Sequence, residues 1–465
     1  MGKQTSNHRP ELVRKYEDEG VREFSASDWA SLFRYYADTV QTKKAETVAR
    51  AGCFFYPDDP TLRGMLVTAH IDLEELVTAM DEINVLLERT VSDPAFNAST
   101  HWYTTLKGII LLKQNRLKDA DRFFHEYLSK QTDPKNDEST EFYWESVIDT
   151  YLDLNLSEEA LRFSEEALCL VHKSLILMLK RAESMARLKR YDESIATYRQ
   201  VLKYDPFDDM TWADLGQVCL LAEKADEAVE AYGYATSIVP ENPTYLDDLA
   251  NAYYQNEQYG KAAETYLEFV KKFGASTSLL LSAADCLMRI DDYKQAKLIF
   301  KAVLRKEPEN AEALTGYGYC LLGREEYQEA VSVLQKSAGI DPAEADTWLY
   351  LGDAYCGLEQ AAQALQAYLE CFKIDSTQAD LCLKIGLMLF DIEAYSEALD
   401  FYHQAQRLDP DLEDLDLMIA MAHYALHDYP AFNRYYAQAA CKNTRAFKIL
   451  TEWDPEAAKR IDPLT

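Results

Sequence analysis

The sequence predicts an all-α fold, an α-α superhelix of antiparallel helix pairs with a 34-residue repeat over most of the chain. Three observations carry this expectation. Trp348, Leu351, Gly352 and Tyr355 fall at helical spacing, and Ala364 and Tyr368 follow on a second helix after a break around Cys356 to Glu359. The same ladder stands four periods earlier, as Trp212, Leu215, Gly216, Ala228, Tyr232 and Pro240. Sliding by one period at a time extends it: the Ala364 column reads Ala160, Ser194, Ala228, Ala262, Ala296, Ala330 and Ala398, and a proline recurs at Pro206, Pro240, Pro308, Pro342 and Pro410. Residues 141–446 divide into nine such windows without an insertion.

The columns have a physical reason. A small residue at the eighth position of the first helix and another in the second let two antiparallel helices approach closely. Large apolar residues three and four apart fill the space beside them. Proline cannot continue a helix interior, so it separates one pair from the next. A single pair cannot bury its apolar face, whereas stacked pairs share a continuous core. The pattern resembles the tetratricopeptide repeat family, whose Trp, Leu, Gly, Tyr, Ala, Phe or Tyr, Ala and Pro positions are matched column by column over at least two thirds of the chain. That resemblance implies a solenoid whose first helices line an inner groove through their positions 2, 5, 9, 12 and 13.

Taken from the N-terminus, residues 1–25 read as a polar arm with one apolar pulse at Leu12, Val13 and Tyr16; Met1, Gly2 and Ser6 also fit an N-myristoylation pattern. Residues 26–134 read as degenerate repeats. The first carries Trp29, Leu32, Tyr36, Ala45 and Pro57, the second Ala79 and a closing Asp93-Pro94, the third Gly108, Ala120 and Phe124. The stretch KQTDPKNDEST contains an expected flexible loop at 135–140. The regular array follows at 141–446, with departures at Arg181 and Asp416, which occupy apolar columns, and at Phe432 and Pro430 in the last window. Residues 447–465, with Phe447, Leu450 and Trp453 on one stripe, read as a capping helix.

Composition bounds the function. With 79 acidic and 48 basic residues the net charge is −31, a surface that repels phosphate backbones, so nucleic acid is not an expected partner. No apolar run reaches the ~20 residues of a membrane-spanning helix, and the start MGKQTSNHRP lacks a signal core. The nine cysteines form no CxxC pair; Cys219, Cys286, Cys320, Cys356 and Cys382 sit within or beside apolar ladders, as reduced buried thiols do. A cytoplasmic location is the expectation.

The sequence contains no GxxxxGK[ST], HExxH, GxSxG or GxGxxG, so neither an enzyme nor a cofactor is expected. The nearest metal pattern is His423 and His427, four apart and followed by Asp428, without a marked third ligand; His423 also falls in a packing column. A binding surface is better supported. The groove columns that the resemblance implies hold Glu145, Asp149, Asp247, Asn251, Asp285 and Asp353, then turn apolar at Leu383, Leu387, Phe390, Leu417, Met421 and Tyr424. Such a surface suits a peptide with basic and hydrophobic residues. The apolar strip could equally lie under the cap or against another subunit.

One island opposes the general charge. Between Lys173 and Lys203, eight basic residues including Lys180, Arg181, Arg187 and Arg190 face three acids. Chaperone-binding members of the family grip a C-terminal carboxylate with Lys, Arg and Asn on successive first helices. Lys180 and Arg187 are similar, but Ala213 and Gln217 occupy the next window, so the full clamp is missing. A solvated basic patch, or self-association with an acidic surface, accounts for the island more simply. Two functions stay open: a non-catalytic adaptor holding a peptide or protein segment in an acidic-to-apolar groove, and a self-assembling structural subunit, a homo-oligomer with no groove ligand.

Overall fold

A computed structural model describes residues 11–19, 24–97, 99–129, 138–171, 173–443 and 445–461, and all regular structure among them is α-helical. Helix starts keep the period read from the sequence. First helices open at Leu175, Asp209, Pro243, Thr277, Ala311, Ala345 and Ala379, and second helices at Tyr191, Ala225, Tyr259, Tyr293, Tyr327, Ala361, Tyr395 and Tyr429.

Two backbone devices repeat with the helices. Between the members of each pair one residue takes the left-handed conformation: Asn155, Lys189, Glu223, Glu257, Asp291, Glu325, Glu359, Glu393 and His427, all with φ between 55° and 64°. A non-glycine residue is disfavoured there by its own Cβ, so the tight turn is held by the packing of the helices it joins. Ahead of the first helices stand Ser174, Asp208, Asn242, Ser276 and Asn310. All but Ser276 accept a backbone N–H with the side chain, satisfying an otherwise orphaned donor. At the same position Glu344 and Gln378 make no such bond.

The chain forms two compact units, residues up to Lys224 and from Ala225 onward. In the first unit, the helix Glu11–Glu19 turns the apolar pulse of the arm inward. Val13 is buried, and the Tyr16 ring meets Trp29 edge-on at 5.8 Å. The myristoylation pattern at Met1, Gly2 and Ser6 lies outside the described residues. So does most of the KQTDPKNDEST stretch, while the helix Glu138–Asp153 already opens within the segment read as loop. The second degenerate repeat carries the long helix Leu76–Ser92 and a short one, Pro94–Asn97.

In the second unit, the small column and the aromatic column interlock. A Cβ on Gly318 would strike Leu334, on Gly352 Tyr368, and on Gly386 Tyr402, so each glycine faces the large residue of its own pair. Ala262, Ala296, Ala330, Ala364 and Ala398 are fully buried at the matching place in the second helices. Asp416, in an apolar column, is buried but answered by Lys442 Nζ at 2.9 Å and Gln406 Nε2 at 3.0 Å. Cys219, Cys286, Cys320 and Cys382 are buried as expected, and burial pushes the Cys286 and Cys320 thiols up to about 12. Cys356 is a correction: it is exposed, with Sγ 3.4 Å from the Tyr368 hydroxyl.

The C-terminal segment departs from a single helix. Ala446–Trp453 and Pro455–Lys459 form two short helices, with a proline opening the second. Ala446, Leu450 and Ala457 are buried against Leu417, Met421 and Phe432. Phe447, expected on the inward stripe, is 55% exposed. Trp453 rather than Phe447 reaches inward, against Phe390 at 5.6 Å and Tyr424 at 5.8 Å.

Candidate functional site

In the second unit a groove of about 1150 Å3 runs along the first helices Pro243–Gln255, Thr277–Arg289, Ala311–Leu322 and Ala345–Gly357. Its residues are the inner-face columns of successive windows. The pair opening at Thr277 contributes Ser278, Leu281, Asp285, Met288 and Arg289, all five of its inner positions. The next contributes Glu312, Thr315 and Tyr319, and the one after it Asp346 and Tyr350. First helices therefore build the groove because their outward columns are polar or aromatic while the apolar ladder on the opposite face is consumed by packing.

The groove is acidic. Asp285, Glu312, Asp341, Glu344 and Asp346 line it against one guanidinium, Arg289, which is held by Asp285 at 3.0 Å. Glu312, Glu344 and Asp346 form no ion pair among the described residues. Its middle is aromatic: the rings of Tyr319 and Tyr350 pack at 4.8 Å with planes 47° apart. Burial, and then the charges of Asp346, Tyr319, Asp353 and Asp285, raise the Tyr350 hydroxyl above the ordinary tyrosine value. On the floor, Thr315 shares hydroxyl contacts with Ser337 at 2.9 Å and Thr347 at 2.6 Å, so the buried polar groups are mutually satisfied.

The sequence-derived residues divide three ways. Asn251 and Asp285 line this groove. Asp247 lies half-buried on the same helix as Asn251, its carboxyl raised by burial. Asp353 is committed to structure: Oδ1 accepts from the Tyr368 hydroxyl at 2.5 Å and from Lys384 Nζ at 2.6 Å. Asp149, in the first unit, makes the equivalent bridge to Lys180 at 2.6 Å.

The apolar residues also divide. Leu387, 37% exposed, lines a second pocket of about 420 Å3 with Leu381, Leu383 and Leu349, the last of which immediately precedes Tyr350. Phe390, Met421 and Tyr424 do not line an open groove. Trp453 covers the first and last, and Met421 is only 5% exposed within the cluster that the cap completes. The cap follows directly in the chain and carries its own apolar residues, so it removes the strip from water most simply.

The basic side chains of the island meet acidic partners within the first unit. Lys180 bonds Asp149 and lies near Glu183, and these anions raise its ammonium despite the opposing effect of burial. Arg187 donates to Glu183 and to the Leu152 carbonyl, both at 2.8 Å, and Arg190 forks onto Glu193 at 2.7 and 2.6 Å. Arg181 Nε is buried without a hydrogen-bond partner. Three of the four named charges are thus spent inside the first unit. The two histidines of the metal pattern diverge, His423 toward Asp428 at 3.3 Å and stacked on Tyr435, His427 toward the Tyr429 hydroxyl at 3.2 Å.

Tyr254, Glu312, Thr315, Tyr319, Glu344, Asp346 and Tyr350 were not singled out from the sequence. Most of them stand in the same inner-face columns, so the signal was present. Tyr350 is one position off those columns and Glu344 precedes its helix, and these two are brought in by helix orientation.

Residues 281–345 match a tetratricopeptide repeat family model, and residues 146–284 match the model for the N-terminal TPR repeats region of Psidin. DnaJ homolog subfamily C member 3 from Bos taurus and from Homo sapiens are each 30% identical over 146 residues, 28% of this chain and 29% of theirs. The match thus spans less than a third of the length of these relatives. A solved tetratricopeptide repeat protein from Parabacteroides merdae ATCC 43184 is 16% identical, over 53% of this chain and 98% of that one, with a TM-score of 0.42. With two family models matching between residues 146 and 345, that stretch is an array of tetratricopeptide repeats, and the helix pairs after it keep the same period.

Proposed function

We propose that this chain is a non-catalytic, cytoplasmic adaptor that holds an extended peptide segment in the groove of its second unit, the segment carrying basic and hydrophobic residues. One observation carries this reading: the groove joins five carboxylates, four of them outside any ion pair among the described residues, to a pair of tyrosine rings, with a leucine-bearing pocket beside it that shares the helix Ala345–Gly357 through Leu349. Carboxylates steer and select cationic side chains, while tyrosines and leucines supply contact area that excludes water. The nine cysteines form no disulfide among the described residues, which suits a reducing compartment.

A random dodecapeptide library displayed and selected on the folded chain tests the proposal. Enriched peptides should be basic and partly apolar, bind more weakly as salt rises, and lose affinity with Asp346→Lys and with Leu387→Glu. Asp346 is preferred to Asp353 for reversal, because Asp353 also secures Tyr368 and Lys384. Failure to enrich any peptide, or binding indifferent to salt and to both substitutions, would contradict the groove.

A further inference from the structure

The second unit already seats several of its own cations on tyrosine rings, and one of them lies in the groove. The Arg289 guanidinium lies 5.2 Å from the ring centres of Tyr254 and of Tyr259 and is fixed by Asp285 at 3.0 Å. One helix pair further along, Tyr319 and Tyr350 offer a second ring pair, with Glu312 and Asp346 lining the same groove. Among the described residues, no lysine or arginine of the chain sits over either of these rings.

We propose that Tyr319, Tyr350 and Asp346 form a subsite for an arginine side chain of the bound segment, a proposal that rests on the groove reading above. The electrostatics favour a cation at this place. Carboxylates from three first helices, Asp285, Asp346 and Asp353 among them, act on the Tyr350 hydroxyl or line the groove around it. Asp285 and Asp353 are answered by Arg289 and Lys384, which leaves the charge of Asp346 for a ligand. A planar guanidinium can lie on a ring while its N–H fork reaches a carboxylate, an arrangement a lysine ammonium cannot reproduce. The tyrosine rings also distinguish this place from a merely solvated acidic surface, since they shield the bound cation from water. Leu349, next to Tyr350, lines the pocket with Leu383 and Leu387, so an apolar side chain near the arginine would be seated as well.

The test uses the full chain and a peptide selected on it, with each arginine replaced in turn by citrulline, its neutral isostere. One replacement should cost about tenfold in affinity. That same replacement should cost almost nothing in the Asp346→Asn protein, giving a coupling specific to one peptide position. Tyr350→Phe should keep binding and Tyr350→Leu should lose it, since the ring and not the hydroxyl holds the cation; melting curves confirm that each variant is folded. Peptides that bind without any arginine coupled to Asp346, or that tolerate Tyr350→Leu in a folded protein, overturn the subsite and leave the groove reading standing. The absence of any peptide binding overturns both.

Discussion

The hydroxyl of Tyr368 donates to Oδ1 of Asp353 at 2.5 Å, tying the second helix of a pair to the groove face of the first. Tyr266 and Asn251 make the same bond at 2.6 Å in the pair opening at Pro243. In the pair opening at Ala379, Tyr402 stands in the tyrosine column, but the facing residue is Leu387, and the Tyr402 hydroxyl is buried without a partner. Leu387→Asn should restore the bond. Urea unfolding should show a gain of about 1 kcal/mol, since a buried unpaired hydroxyl is costly and the half-exposed leucine contributes little. A midpoint that falls or stays put would show that the column bond is not formed there.

The turn between the helices of the pair opening at Ala345 is held by Glu359 at φ 60°, exposed and with a side chain the left-handed region disfavours. Glu359→Gly should stabilise the chain by roughly 0.5–1 kcal/mol, the relief of the Cβ clash exceeding the extra entropy of glycine in the unfolded chain. Thermal melting checks this. A lower melting temperature would mean that the glutamate side chain contributes more than its backbone conformation costs.

Removal of residues 446–465 should uncover Phe390, Met421 and Tyr424 and expose the end of the core. The truncated chain is expected to bind a hydrophobic dye, melt earlier and self-associate in light scattering. A truncated protein that stays monomeric, with an unchanged melt and no dye binding, would contradict the covering role assigned to Trp453 and Leu450.

Burial, with Glu183 and Asp208 nearby, pushes the Asp214 carboxyl up to about 6. The folded state therefore binds this proton more tightly than the unfolded chain, whose value is about 3.9. Stability from this group is present below about 4 and is lost as pH rises through 6. Asp214→Asn should accordingly raise the melting temperature above pH 6 and converge on the parent near pH 4. Its side chain still reaches solvent, so screening keeps the effect small. A difference that grows on acidification would reverse the assigned sign.

Most of the fold was legible because it is periodic. The Gly352 and Tyr368 columns report steric contact between paired helices, and that contact recurs with each pair from Gly318 to Gly386. What failed was non-periodic. Lys180 stands in a basic run of the sequence, while its partner Asp149 belongs to the preceding first helix, and only the stacking of first helices brings them to 2.6 Å. Phe447 and Trp453 share a helical stripe, yet Trp453 meets Phe390 while Phe447 stays exposed, in a segment that breaks into a second short helix at Pro455. The groove carboxylates Glu312 and Asp346 stood in inner-face columns all along. A column cannot say which acids are already paired, and that distinguishes Asp346 from Asp353.

Photocrosslinking tests the central claim most directly. A selected basic peptide carrying benzoylphenylalanine would be irradiated on the full chain and its adducts located by mass spectrometry. The account predicts adducts on the inner positions of Thr277–Arg289, Ala311–Leu322 and Ala345–Gly357, Met288 and Tyr319 foremost, and their disappearance with Asp346→Lys. Adducts confined to the second helices or to the first unit, unchanged by Asp346→Lys, would contradict it.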